Sequence, residues 1–194
     1  MRTGIFGGTF DPVHFGHLIL AETVRSAENL DRLVFLPANQ PPHKLEHALT
    51  PSRHRLAMLN LAVENNPAIK ISDYEIQTGG ISYTIDTLDA LLKSAEFRND
   101  QLYPIIGQDS LAEFHTWKDP ERIVTQYQVL CVRRPDVETE QISSEIASSV
   151  RIVAAPLISI SSSEIRQRIK MGKSIRFWVP EKVESYINQQ GLYQ

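Results

Sequence analysis

The 194-residue sequence predicts an α/β protein: a doubly wound, mostly parallel sheet with helices on both faces. Three observations carry that reading. Short strand-like runs alternate with stretches of helical period along the whole chain. Those runs are nearly all apolar, as strands covered on both faces must be. A glycine-rich turn, Gly7-Gly8-Thr9-Phe10-Asp11-Pro12, joins the first strand to the first helix. Its adjacent glycines let the backbone turn sharply and let a ligand approach the amides closely.

In chain order, 3–6 reads as a buried strand and 15–27 as a helix, with Leu18, Ile19, Ala21, Val24 and Ala27 at helical spacing. Residues 33–36 form a second strand stopped by Pro37, and the prolines of Pro41-Pro42-His43-Lys44 mark a loop. The unpatterned segment 41–49 is the candidate for mobility. Thr50 reads as a cap with Pro51 at the first helical position, opening a helix that carries Leu56, Met58, Leu59, Leu61, Ala62 and Val63. Extended pieces are expected at 69–71 and 74–76, punctuated by Gly79-Gly80. Ser82-Tyr83-Thr84 then leads into a helix through Leu92. Residues 102–106 form the next buried strand, in which Pro104 is tolerable at an edge or a strand start but not in a paired centre. A short helix from Asp109 to about His115, a turn at Trp117-Lys118, a helix from Pro120 and a strand at 128–132 follow. Residues 133–149 read as a polar loop with a short helix at 142–146, and 150–154 as a strand. Helices at 161–171 and from Pro180 to near Gly191 make a small C-terminal helical part. The order is Rossmann-like, with residues 1–194 expected as a single domain.

Composition is that of an ordinary globular protein, 42% hydrophobic and 22% charged. A net charge of −3 and a pI of about 6.1 argue against a general affinity for nucleic-acid backbones. No apolar run approaches bilayer length, and Met1-Arg2 leads straight into the first strand without room for a signal peptide. The single Cys131 cannot close an internal disulfide and sits in an apolar strand, where it reads as buried. A cytoplasmic protein with no nucleic-acid or membrane partner is expected, its oligomeric state left open to a homo-oligomer.

In sheets of this kind, ligands bind beyond the carboxyl ends of strands, where the winding direction reverses. The glycine turn, Gly107-Gln108-Asp109 and the Ser161 helix start all follow strands and so fall at one edge. His14 and His17 are three apart and share one helix face near its N-terminus, where unpaired N–H groups favour phosphate. A nucleoside triphosphate is expected there. The helix end opposes protonation of these histidines by roughly 0.3–1 kcal/mol. A charge-assisted bond to phosphate favours it by roughly 1.5–3 kcal/mol, so bound phosphate should prevail.

The second informative stretch is Ile160-Ser161-Ser162-Ser163-Glu164-Ile165-Arg166. Ser161 with Glu164 makes a capping box, and Ile160 with Ile165 a hydrophobic staple. On that basis the serines need only start a helix. Arg166, one turn in, can grip phosphate oxygens in a planar fork, and paired with the first motif it completes a phosphate site. The chain lacks a P-loop, the dinucleotide fingerprint, zinc-ligand spacing and a nucleophile elbow. Phosphate handling by histidines, amides, Arg and Lys remains, with no obvious protein nucleophile. Asp86 reads as a helix-start carboxylate, and His47, His54 and His115 have no partner spacing.

His14-Phe15-Gly16-His17 after Gly7-Gly8-Thr9-Phe10-Asp11-Pro12, with the Ile160–Arg166 stretch, resembles the nucleotidyltransferase superfamily that carries H-x-G-H and I-S-S-T-x-I-R signatures. More narrowly, the chain resembles bacterial nicotinate-nucleotide adenylyltransferases along nearly its whole length. Pro41-Pro42-His43-Lys44, Ser82 to Leu88, Gly107 with Asp109, Trp117-Lys118, and Val179-Pro180 through Gly191-Leu192-Tyr193 all take part in that likeness. The resemblance implies attack by the 5′-phosphate of nicotinate mononucleotide on the α-phosphorus of ATP, with pyrophosphate leaving. Deamido-NAD would be the product, and Mg2+ would be held mainly by substrate phosphates rather than by a protein metal site. It also implies roles. Gly7, Gly8, Thr9 and Phe10 offer backbone contacts to the nucleotides. His14, His17 and Arg166 serve catalysis and, with Ser162 and Ser163, hold the ATP phosphates. Lys44 meets phosphate, and Gly107 and Asp109 face sugar hydroxyls. Tyr83 and Thr84 present amides to the nicotinate carboxylate, Trp117 stacks on the pyridine ring, and Thr9 and Asp109 also serve the mononucleotide.

Two departures stand out. The family usually has Ala where Gln108 stands and Thr where Ser163 stands. The second keeps its hydroxyl; the first sets a larger side chain beside the nucleotide. Competing readings are a sister enzyme acting on nicotinamide mononucleotide or phosphopantetheine, and a nucleotide-binding sensor without catalysis.

Overall fold

The computed structural model describes residues 1–42, 49–133 and 149–194. Six strands, β1 (Arg2–Gly8), β2 (Arg32–Pro37), β3 (Ile69–Ile71), β4 (Gln101–Gly107), β5 (Val129–Arg133) and β6 (Val150–Ala154), form one sheet ordered β3-β2-β1-β4-β5-β6. Every pairing is parallel. The chain winds outward from β1 through β2 to β3, then restarts at β4 on the other side of β1. The winding therefore reverses between β1 and β4, where such sheets open a crevice at their carboxyl edge.

Eight helices flank the sheet among the described residues: α1 (Phe15–Ala27), α2 (Ser52–Val63), α3 (Tyr74–Thr78), α4 (Thr84–Lys93), α5 (Gln108–Ala112), α6 (Pro120–Gln126), α7 (Ser162–Lys170) and α8 (Glu181–Gln190). A 3-10 turn lies at Phe114–Thr116. The strand residues alternate between two buried clusters, one per face. Phe6, Leu33 and Phe35 pack with Ala21 and Val24 of α1, Met58 and Leu59 of α2, Ile165 of α7 and Val183 of α8. Ile5, Val34 and Leu36 pack with Ile85 and Leu88 of α4, Leu111 of α5 and Ile123 of α6. The C-terminal helices thus share a core with α1 and α2. A hydrogen bond between Tyr186 and His54 Nδ1 (2.9 Å) and the Lys182–Glu64 ion pair fasten α8 to α2. Among the described residues, no helix is long and apolar enough to cross a membrane.

Three local expectations need correction. Residues 74–76 are helical, not extended: Gln77 N–H reaches the Asp73 carbonyl (2.9 Å), its side chain reaches the Asp73 carboxylate, and Gly79 at φ 71° ends the turn. Pro51, rather than Thr50, occupies the N-cap of α2, and no side chain caps that end. Pro104 lies inside a central strand, paired with Ile5 of β1. The ladder to β5 begins only at Ile105, so Pro104 precedes the second set of donors that a strand with two neighbours must supply. The helix expected at 142–146, most of the loop at 41–49, and Lys44 fall outside the described residues.

This core should respond to truncation by layer. Leu33→Ala, fully buried in β2, is expected to cost about 2–5 kcal/mol in urea unfolding. Ile152→Ala on edge strand β6, where the side chain is 45% exposed, should cost less than about 1 kcal/mol. Equal losses would contradict a core centred on β2, β1 and β4.

Candidate active site

β1 ends in Gly7-Gly8 beside Gly107 at the end of β4, so the glycine turn rises from the reversal point. Its shape is set from below. Phe10 adopts a left-handed backbone (φ 49°), costly for a residue with a Cβ, and its ring is 1% exposed. That ring meets Phe6, Phe35 and His17 edge-on, with centroids 5.9, 5.1 and 5.0 Å away. A Cβ at Gly8 would come within 2.9 Å of the Phe10 ring, so the second glycine makes room for this anchor.

The two histidines form the N-terminus of α1. His14 is its N-cap: His14 Nδ1 accepts from the His17 N–H (3.4 Å), and His17 Nδ1 accepts from the His14 N–H (3.3 Å). This is a capping box built from imidazoles, and the rings stack with centroids 3.7 Å apart. A Cβ at Gly16 would stand 2.9 Å from His14 Nδ1, so the glycine between the histidines lets the first ring fold back over the helix start. A nitrogen that accepts an N–H bond carries no proton of its own, so each ring bears its proton on Nε2 and donates from there. Charging either ring would break one capping bond. The expected gain from protonation on phosphate therefore meets an opposing constraint that spacing alone does not reveal.

The second helix start closes on the same turn. Ser161 caps α7 by accepting from Glu164 N–H (3.2 Å). Ser162 Oγ donates to the Pro12 carbonyl (2.9 Å), and Arg166 donates to the Asp11 carbonyl (2.7 Å) and to Ser163 Oγ (3.2 Å). His14, His17, Ser162, Ser163 and Arg166, far apart in sequence, thus border one short turn.

Sequence reading gave no role to the residues that hold this turn. The Asp11 carboxylate, 3% exposed, accepts from the Tyr193 hydroxyl (2.6 Å) and the Thr50 N–H (3.1 Å). Arg55, 2% exposed, donates to the carbonyls of Thr9 (3.0 Å), Ala38 (2.8 Å) and Thr50 (3.0 Å). Burial lowers the Arg55 pKa, and the Asp11 charge opposes that shift. Burial, then the neighbouring Asp11 charge, pushes the Tyr193 hydroxyl far above the usual phenol range, so it stays a donor. Asp11 lies inside the motif and could have been suspected. Arg55 reads as a surface helix residue, and Tyr193 as a tail.

Beside the turn lies a cavity of about 290 Å³, lined by Gly7, Gly8, Thr9, Gly107, Thr84 and Trp117 among others. Tyr83, also in the lining, is the N-cap of α4 and makes no side-chain cap, which leaves the first amides of that helix without one. Trp117 is half-buried, 5.0 Å from Phe114 with the rings tilted by 34°. Lys118 pairs with Asp86 (2.7 Å) and lies over the Tyr83 ring. Asp109 is exposed in the first turn of α5 and Gln108 half-buried, and neither is in the lining. No group of three His, Cys, Asp or Glu side chains among the described residues is placed to hold a metal ion.

Arg55→Leu is expected to cost about 3 kcal/mol or more in urea unfolding, because three carbonyls lose their donor at once. Arg55→Lys should recover little of it, since one ammonium cannot reproduce the fork. Full rescue by lysine would contradict the bracing role.

Residues 5–168 match the family described as cytidylyltransferase-like. Over its whole length the chain is 43% identical to a probable nicotinate-nucleotide adenylyltransferase of Thermomicrobium roseum, covering 92% of that protein. A protein of the same description from Thermoanaerobacter sp. is 39% identical over all of this chain and 95% of its own. The fold also matches the Plasmodium falciparum nicotinic acid mononucleotide adenylyltransferase solved with NaAD, with a TM-score of 0.80 over 99% of this chain and 97% of that one, at 20% identity. By motif, fold and full-length similarity, the chain belongs to the nicotinate-nucleotide adenylyltransferase family of cytidylyltransferase-like proteins.

Proposed function

We propose that this chain, acting as a single domain, transfers the adenylyl group of ATP to nicotinate mononucleotide in NAD biosynthesis. An oxygen of the mononucleotide phosphate bonds to the α-phosphorus while the bond to the β-phosphate bridge breaks, giving deamido-NAD and pyrophosphate. The nucleophile is already anionic, so alignment and charge neutralisation suffice and no covalent intermediate is needed. The observation that carries this reading is the meeting of two helix starts, α1 and α7, on one glycine turn at the reversal point.

The Nε2–H groups of His14 and His17, the Ser163 hydroxyl and the Arg166 guanidinium donate to the triphosphate, and Ser162, whose hydroxyl is given to the Pro12 carbonyl, meets it through its backbone. Gly7, Gly8, Thr9 and Phe10 bring backbone to the nucleotides, with Gly107 and Asp109 at the sugars. Lys44 remains a phosphate contact on the strength of the resemblance alone. Tyr83 and Thr84 present α4 amides to the nicotinate carboxylate, and Trp117 covers the ring. Magnesium prefers oxygen ligands and keeps several waters; carried in by the substrate phosphates, it would neutralise their charge.

Pyrophosphate release with ATP, magnesium and nicotinate mononucleotide is the test, run beside nicotinamide mononucleotide and phosphopantetheine. Fast release with the first is expected; release only with another acceptor, or ATP binding without release, would replace the reading with a sister enzyme or a sensor. His17→Ala should lower kcat by about 10²-fold or more while raising KM for ATP far less, as for loss of a donor to developing charge. Near-normal kcat with only weakened ATP binding would remove His17 from the reacting groups.

A further inference from the structure

Glu75 is a carboxyl that the cavity buries. It is 7% exposed on α3 and lines the cavity with Ser82, Thr84 and Thr87. Its Oε1 accepts from Thr87 Oγ1 (2.8 Å), and the Ser82 hydroxyl bonds to it as well. The other buried acids have cationic company: Glu28 pairs with Arg151, and Asp11 acts on Arg55. Among the described residues, Glu75 has no ion pair. An acid buried without a cation resists ionisation, and two carboxylates in one small cavity repel.

We propose that Glu75 is a specificity-determining residue, choosing between a pyridine ring that bears a carboxylate and one that bears a carboxamide. The inference rests on the function proposed above, which seats that substituent at the start of α4. Holding its proton, the Glu75 carboxyl can donate to a ring carboxylate. Having lost it, the group repels that carboxylate but can accept from an amide N–H. The same side chain thus rewards the acid substrate in one state and the amide in the other.

The direction follows from the surroundings. Burial raises the Glu75 pKa above the ordinary carboxyl value, and the Thr87 and Ser82 hydroxyls pull it part of the way back. No charge of either sign is among these influences. Of the other titratable groups, Tyr83, Glu113 and Lys118 share the lining, Asp73 and Tyr74 adjoin Glu75 in the chain, and Asp86 in the first turn of α4 is paired with Lys118. Below its raised pKa Glu75 is neutral and the acid substrate is favoured; above it Glu75 is charged and that preference erodes.

The experiment is the ratio of kcat/KM for nicotinate mononucleotide to that for nicotinamide mononucleotide, measured from about pH 5 to about pH 9. Titration of ATP, magnesium and the mononucleotide phosphate is common to both substrates and cancels in the ratio. In the unaltered protein the ratio should fall by about tenfold or more as pH rises. In Glu75→Gln, which cannot ionise, it should vary less than about twofold. Thr87→Val removes a donor to the charged form, so its fall should move to higher pH. A ratio reports on folded molecules only, so loss of protein does not mimic the effect. Robust turnover with a flat ratio, or the same fall in Glu75→Gln, would overturn the role of Glu75. No turnover on either mononucleotide would overturn the proposed function and this inference with it.

Discussion

The glycine turn depends on a buried negative charge. Asp11 lies where water cannot compensate its carboxylate, and three residues from two distant parts of the chain do so instead. Tyr193 comes from the C-terminal tail, Thr50 from the approach to α2, and Arg55 supplies positive charge from inside that helix. A buried carboxylate left unpaired would cost several kcal/mol, so the turn is secure only when all three are in place. Arg166 then uses the Asp11 carbonyl, fastening α7 to the same residue. The packing of α8 on α2 thereby acquires a link to chemistry. It delivers Tyr193 to the turn that bears the histidines.

From that node the site divides into two ends. At the end proposed for the phosphates, the buried Phe10 ring props the turn, the imidazole capping box fixes His14 and His17, and α7 closes over them. These groups are arranged in advance, which is what transfer between anionic phosphates demands of a protein that offers no nucleophile. At the end proposed for the ring, the start of α4, Trp117 and Glu75 line one cavity. The reversal between β1 and β4 sets the two ends side by side.

Much of this was legible in the sequence, and the failures have physical causes. The bounds of α1 and the strand–helix alternation follow from local periodicity, and two motifs at helix starts could be joined because both follow strands. Tyr74 to Ile76 looked extended, yet the segment is a helical turn held by Asp73 and by the hydrogen bond from Thr87 to Glu75. Pro104 looked wrong for a central strand because residue-by-residue reading cannot show where the neighbouring ladder begins. Arg55 went unremarked, and Tyr193 was noted only as part of the C-terminal likeness, for a deeper reason. Their importance lies in partners 46 and 182 residues away, and nothing in their own neighbourhoods distinguishes them from surface residues. The histidines were singled out by their motif, but their mutual capping, which sets which nitrogen donates, appears only in three dimensions.

On the proposed function, the turn held by Asp11 is built before the triphosphate arrives. A crystal structure with a non-hydrolysable ATP analogue tests it directly. The expected result is phosphate oxygens within hydrogen-bonding distance of His14 or His17 Nε2 and of Arg166, with the Asp11–Tyr193 and Arg55–Thr9 bonds unchanged. Phosphates bound elsewhere, or a turn that must break those bonds to accept them, would contradict it.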